Sequence, residues 1–435
     1  MTNGVNVREL ILNVLLEVTR DGEYSHIAIK NTLDKYQYLE KQERSFFTRV
    51  CEGTLENMIL IDYMINQFSK VKVNKMKPVI RCILRSSVYE MKYMDSVPAS
   101  AACNEAVKLA QKKGFHNLKG FVNGVLRNIS RNLDNIAMPD KEKEPVKWLS
   151  VTYSIPEWMV EKWQKDYEVK QLEEMFEAFQ SKSVTSIRVN TMKTTKEALI
   201  RELEAEEIIV TDNAEVPNAL FIEGYDFLAG IPAFAEGKFY VQDVSSMQVS
   251  LWAEPKEGAQ VMDVCAAPGG KSIHMAELLN GTGMVEARDL TEYKVALIEE
   301  NIERCQLENI CAKQADARVL EKDRVETADI VIADLPCSGL GVIGKKPDIR
   351  YKMTEEKCLE LAALQREILH TVQHYVKPGG VLMYSTCTIN KQENEDNIRW
   401  FQKEHPEFVL EKQQQILPKK GKNDGFFLAR LVRSV

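Results

Sequence analysis

Cys337 follows Asp334-Leu335-Pro336, and Cys387 lies in Tyr384-Ser385-Thr386-Cys387-Thr388. Each comes just after a short apolar run that reads as a strand, Ala328 to Asp334 and Gly380 to Ser385. A single free cysteine often acts as a small apolar side chain. Two thiols flanked by Pro, Gly, Ser and Thr at neighbouring strand ends, with Asp334 beside them, suggest nucleophilic work instead. One reaction makes this set intelligible. C5 of cytosine is a poor nucleophile, but a thiolate adding to C6 turns the ring into a reactive enamine. An acid near N3 takes up the developing charge, and a base must remove the C5 proton before the thiolate leaves. Amino-group methylation would instead use an Asn/Asp-Pro-Pro-Tyr type of motif. Asp334-Leu335-Pro336-Cys337 lacks its second proline and its aromatic. Residue chemistry alone leaves open which thiol attacks.

A second constellation is Asp263-Val264-Cys265-Ala266-Ala267-Pro268-Gly269-Gly270-Lys271, at the end of another apolar run. Paired glycines let the backbone approach a ligand closely, and a helix N-terminus behind them favours negative charge. A Walker A loop needs a glycine where Cys265 stands, and no G-x-G-x-x-G is present. S-adenosylmethionine fits better. The loop would take its amino-acid end, and Asp289, 19 residues past Gly270, its ribose hydroxyls. His370 and His374 sit four apart on a helix without a third ligand, so no metal is expected there.

These residues need strands and helices to hold them. The first 134 residues read as all helix. Val7, Leu10, Ile11, Val14, Leu15 and Val18 form one apolar face, Pro78 and Pro98 open helices, and Gly114 closes one. A last stripe carries Phe121, Val122, Val125, Leu126 and Ile129, so a helical bundle is the natural packing. Residues 135–150 are polar, hold two prolines and read as a linker. Residues 151–238 read as a small α+β piece with strands at Ser186 to Asn190 and Ala219 to Ile222. Residues 239–435 alternate strand and helix, which predicts a Rossmann-like α/β domain with a parallel sheet. Glu286 and Arg288 are unusual for a buried strand and leave its register open.

The chain has 435 residues and a net charge of −7. Residues 1–134 hold 20 Lys+Arg and 14 Asp+Glu, a net of +6, and the remainder carries −13. Between Val71 and Arg131 lie 12 basic residues and three acids, which suggests a polyanionic partner. No apolar run is long enough to span a bilayer, and Met1 to Leu16 reads as neither signal peptide nor anchor. Nine cysteines without a C-x-x-C pair argue against a disulfide framework and fit a reducing cytosol. No oligomer is indicated.

The runs CAAPGGK, DLPCSGLG and YSTCTINKQENE together resemble the RNA cytosine-5 methyltransferases. The segments Asn104-Glu105-Ala106-Val107 and Gly120 to Arg127 are similar to the NusB-like RNA-binding domain. The fusion resembles the bacterial 16S ribosomal RNA enzymes of the RsmB type, over essentially the whole chain. The resemblance implies S-adenosylmethionine as cofactor and 16S ribosomal RNA as partner, with Cys387 the nucleophile, Cys337 assisting release and Asp334 at N3. It further implies cofactor contacts at Cys265, Ala266, Ala267, Pro268, Gly269, Gly270, Lys271, Asp289, Asp316 and Asp334. Asp316 would meet the adenine end, or else cap a following helix. On the RNA side stand Arg188 and Asn190 of the RxN segment, Arg127, and Lys345-Lys346 where relatives often carry arginines. Tyr240 to Asp243 resembles the segment that opens the catalytic domain. A transfer RNA substrate, or a non-catalytic RNA-binding factor, are the alternatives.

Overall fold

The computed structural model describes residues 5–181 and 184–435. Met1 to Gly4, where the segment read as neither leader nor anchor begins, lie outside the described residues. The chain forms two compact units. One holds the residues up to Gln180 together with Ile343–Lys352, and the other holds the rest.

Apolar spacing decides the helices of the first unit. Helix α1 (Val7–Leu16) buries Leu10, Ile11, Val14 and Leu15, and the Asn6 side chain caps it by accepting from the Glu9 amide. Helices α2 (Ser25–Lys35), α3 (Lys41–Glu56) and α4 (Met58–Phe68) follow. Pro78 opens α5 (Pro78–Tyr93). Helix α6 (Ala99–Lys112) ends at Gly114, whose φ of +87° suits glycine. Helix α7 (Lys119–Arg131) buries Val122, Val125, Leu126 and Ile129.

The expected linker is in part a helix. Pro145 opens α8 (Pro145–Tyr153), because proline is favoured in a first helical turn. Helices α9 (Glu157–Trp163) and α10 (Val169–Gln180) group with this unit. The reason is packing: Phe176 lies 5.7 Å from the Tyr153 ring and 5.8 Å from that of Trp163, centroid to centroid. The segment Ile343–Lys352, expected in the catalytic domain, is also built into the helical unit. Buried Arg350 donates to the carbonyls of Glu56 (3.0 Å) and Ser154 (3.1 Å), and the Tyr351 hydroxyl to Leu55 O (2.7 Å).

In the second unit, β1 (Thr185–Val189), α11 (Lys196–Ala205), β2 (Ile209–Asp212), β3 (Ala219–Glu223), α12 (Pro232–Ala235) and β4 (Phe239–Val241) make a small layered piece. Its antiparallel sheet has the order β2-β3-β1-β4. Strand β4 pairs with β1, so Phe239–Val241 completes the small sheet instead of opening the catalytic one.

Next come α13 (Val244–Ala253), β5 (Gln260–Asp263), α14 (Gly270–Leu278), β6 (Met284–Asp289), α15 (Glu292–Cys305), β7 (Ile310–Gln314) and β8 (Ala328–Asp334). After the single turn α16 (Ile349–Lys352) of the helical unit follow α17 (Glu355–Val372), β9 (Val376–Thr386), α18 (Glu395–Glu404), β10 (Phe408–Ile416) and β11 (Phe426–Arg433). The large sheet has the order β10-β11-β9-β8-β5-β6-β7. It is mixed, not wholly parallel: β11 is antiparallel to both β9 and β10. Strand β10, absent from the sequence expectation, is an edge strand whose EKQQQ run hides its period. The register of β6 is set by Val285 opposite Val261 and Ile310. Glu286 and Arg288 lie two apart on one face, ion-paired with each other, and Arg324 also pairs with Glu286.

Candidate active site

The chain winds outward from β5 through β6 to β7, then returns to place β8 on the other side of β5. Such a switch point opens a crevice at the strands' C-terminal ends. Four of those ends carry the residues singled out above: β5 leads into Cys265–Lys271, β6 ends on Asp289, β8 on Asp334 and β9 at Thr386.

The two thiols meet. Cys337 Sγ lies 3.2 Å from Cys387 Sγ. Cys387's hydrogen bond and burial push the Cys337 thiol well above the ordinary thiol range. Asp334 accepts from Lys271 Nζ at 2.6 Å and from Ser385 Oγ at 2.7 Å. Burial would lower the Lys271 ammonium, but the charge and hydrogen bond of Asp334 outweigh it, and the Cys387 thiol lies within reach of the Lys271 charge. Lys271 is therefore a cation beside the thiol pair.

Two residues to which the sequence reading gave no role build this geometry. Glu393 is 0% exposed. It accepts from the Ser338 amide (2.8 Å), Ser338 Oγ (2.5 Å), Asn390 Nδ2 (2.8 Å) and Gln365 Nε2 (3.0 Å), fastening the Cys337 loop to the loop after Cys387. Its signal was present in the run NKQENE, but a charged run reads as a solvated face. Asp263 is fully buried and accepts from Ser272 Oγ at 2.6 Å, and burial pushes its carboxyl up to about 7.

The loop after β5 turns through Gly269 at φ +106°, which favours glycine. Its Pro268 carbonyl accepts from Tyr240 Oη and Asn301 Nδ2, each at 3.1 Å. Asp289 accepts from the Ala267 amide (3.0 Å) and from Lys294 Nζ (3.0 Å), so the acid and the loop form one wall. Asp316 follows β7 and pairs with Arg318 at 2.6 Å. No helix begins there, so it caps only a turn.

The RNA-side expectation for Arg188 and Asn190 is corrected. Arg188 is 1% exposed and spends its guanidinium on Glu277, Gln242 and the Gly270 carbonyl. Asn190 is wholly buried and donates to Gly237 O at 2.9 Å. Strand β1 lies inside its unit, so neither side chain reaches solvent. Lys345, Lys346 and Arg127 are exposed. Among the described residues no group of three His, Cys, Asp or Glu fits a metal ion, and no helix is long and apolar enough to cross a membrane.

A Rossmann-like sheet with a glycine loop after its first strand and an acid after its second, without the dinucleotide fingerprint, fits the class of S-adenosylmethionine-dependent methyltransferases. The comparisons narrow the class. Residues 250–432 match the family model described as 16S rRNA methyltransferase RsmB/F, residues 155–225 its ferredoxin-like domain, and residues 5–131 the NusB family. The chain is 36% identical, over 98% of its length and 98% of the relative's, to the probable ribosomal RNA small subunit methyltransferase B of Bacillus subtilis (strain 168). It is 32% identical to the protein of the same name in Synechocystis, over 99% and 100% of the two chains. The crystal structure of PH0851 superposes with a TM-score of 0.83 at 29% identity, covering 99% of this chain and 100% of that one. The chain belongs to the ribosomal RNA small subunit methyltransferase B family, and its cofactor is S-adenosylmethionine.

Proposed function

We propose that this enzyme methylates C5 of a cytosine in 16S ribosomal RNA through a transient bond between Cys387 and C6. The 3.2 Å approach of two thiols beside the Lys271–Asp334 pair is the observation that carries this reading. S-adenosylmethionine supplies an electrophilic methyl group when bound. The backbone of Cys265, Ala266, Ala267, Pro268, Gly269 and Gly270, opening α14, suits its carboxylate, and Asp289 its ribose. Asp316, at the end of β7, stands on the adenine side.

The thiols divide the work by charge. Cys337 stays protonated and donates to Cys387, whose thiolate the Lys271 ammonium also stabilises. The Cys387 thiolate adds to C6, and the electron pair moves toward C5 and N3. Asp334 stands at N3, and the Lys271 ammonium paired with it offsets the negative charge that develops there. Once Cys387 is bonded to carbon its charge is gone, and with it the largest influence holding Cys337 protonated. When C5 carries the new methyl group as well as its hydrogen, Cys337 becomes the base that assists removal of that proton. The C6–S bond breaks, the 5,6 double bond re-forms and Cys387 leaves as thiolate.

The target base must be unstacked to expose C6, which favours RNA that is free or early in assembly. Exposed Lys345, Lys346 and Arg127 serve the RNA phosphates. A reducing cytoplasm suits two thiols kept this close.

Cys387→Ala should abolish methyl transfer to ribosomal RNA while cofactor still binds. Cys337→Ala should accumulate a covalent RNA–protein adduct on a denaturing gel. Appreciable turnover in Cys387→Ala would sink the assignment, and no adduct in Cys337→Ala would count against the release role. Bisulfite sequencing of ribosomal and transfer RNA, with and without the gene, identifies the substrate.

A further inference from the structure

Arg188 lies on β1 of the small antiparallel sheet, yet its guanidinium ends on the cofactor loop. Nη2 and Nε donate to the two carboxylate oxygens of Glu277 at 2.9 and 3.1 Å. Nη1 donates to Gln242 Oε1 and, at 3.2 Å, to the carbonyl of Gly270. Gly270 and Glu277 are seven residues apart, so they share one face of α14 two turns from each other. Arg188 therefore clamps the helix at both places.

The clamp acts on a particular peptide plane. The Gly270 carbonyl and the Lys271 amide belong to one rigid unit and point in opposite directions. Holding the oxygen on Arg188 fixes where the Lys271 N–H points, and it fixes the start of the side chain that reaches Asp334 at 2.6 Å. The neighbouring Pro268 carbonyl is held by Tyr240 of β4 and by Asn301. A buried ion pair gives little net stability over well-packed apolar side chains of the same volume. Orientation is what Arg188 adds that an apolar residue could not.

We infer that Arg188 is a positioning residue for the cofactor: from behind the loop it aims the first turn of α14 and the Lys271–Asp334 pair at the crevice. The inference rests on the loop Cys265–Lys271 being the cofactor site.

The test uses the full chain, with calorimetric titration of S-adenosylmethionine and S-adenosylhomocysteine. The double variant Arg188→Met/Glu277→Leu removes both charges together and should keep Tm within a few degrees. Its cofactor Kd should rise about tenfold, the scale on which small misplacements are felt at such sites, while affinity for ribosomal RNA stays unchanged. Arg188→Lys retains the pair with Glu277 but loses the fork that also reaches Gly270 and Gln242. It should likewise weaken cofactor binding at near-native Tm. Either variant folded, with native cofactor affinity, overturns the inference. So does a loss confined to RNA affinity, which would return Arg188 to the RNA side. Gly269→Val is the control for the site itself: unchanged cofactor binding there would remove the loop assignment, a failure separate from that of Arg188.

Discussion

Asp263 ends β5 fully enclosed, and burial holds its carboxyl near 7, far above the range of an exposed aspartate. The nearby Asp334 charge pushes the same way, and the Ser272 hydroxyl does not offset them. Folding therefore takes up a proton across the window between the ordinary aspartate value and about 7. Stability from this group is full below that window and is lost as pH rises through it. Thermal unfolding should show Tm falling between about pH 4 and pH 7, and Asp263→Asn should flatten that fall. An unaltered slope in the variant would remove Asp263 as its cause. The sequence placed this aspartate at a strand end but said nothing of its proton, because desolvation depends on neighbours brought in from β8 and α14.

The Cys337 loop and the loop after β9 are held in register by one carboxylate. Glu393 accepts hydrogen bonds from both loops and from Gln365 of α17. In Glu393→Gln an amide NH2 replaces an oxygen and faces donors. With hydrogen bonds to charged groups worth about 1.5–3 kcal/mol each, the variant should lose about 2–3 kcal/mol in urea denaturation and slow the covalent step. Native stability together with native adduct formation would show that the loops hold without it. At this scale most elements were legible. Strand β8 coincides with its apolar run, and α1, α6 and α7 follow their stripes and stops. What failed was local grammar outvoted by context. Pro145 reads as a breaker but starts a helix, and the polar Glu411–Gln415 run forms an edge strand because β11 offers it backbone partners. Edge strands bury one face at most, so their apolar signal is weak.

Across the whole chain the charge is uneven, and the net of −7 says little about the partner. The cationic residues proposed to draw RNA are exposed in the helical unit, among them Lys345 and Lys346, which the chain order would put in the catalytic domain. Replacing both by Gln should weaken binding of ribosomal RNA in a nitrocellulose filter assay. It should also make the slope of log K against log salt shallower by about 1–2. A slope identical to that of the native chain would take both lysines out of the interface.

By itself the sequence picked out the candidate site: the two thiols, Asp334, the glycine loop and Asp289 are read from residue type and from their places at strand ends. It also determined the alternation of strand and helix, since side-chain periodicity is a local property. Only the tertiary structure decided which side chains face one another. It set the thiols 3.2 Å apart, turned Arg188 from the expected RNA contact into an enclosed clamp, made Glu393 a buried acceptor and carried Ile343–Lys352 into the helical unit. Burial and partner choice arise from residues far apart in the chain, and no window of sequence contains them.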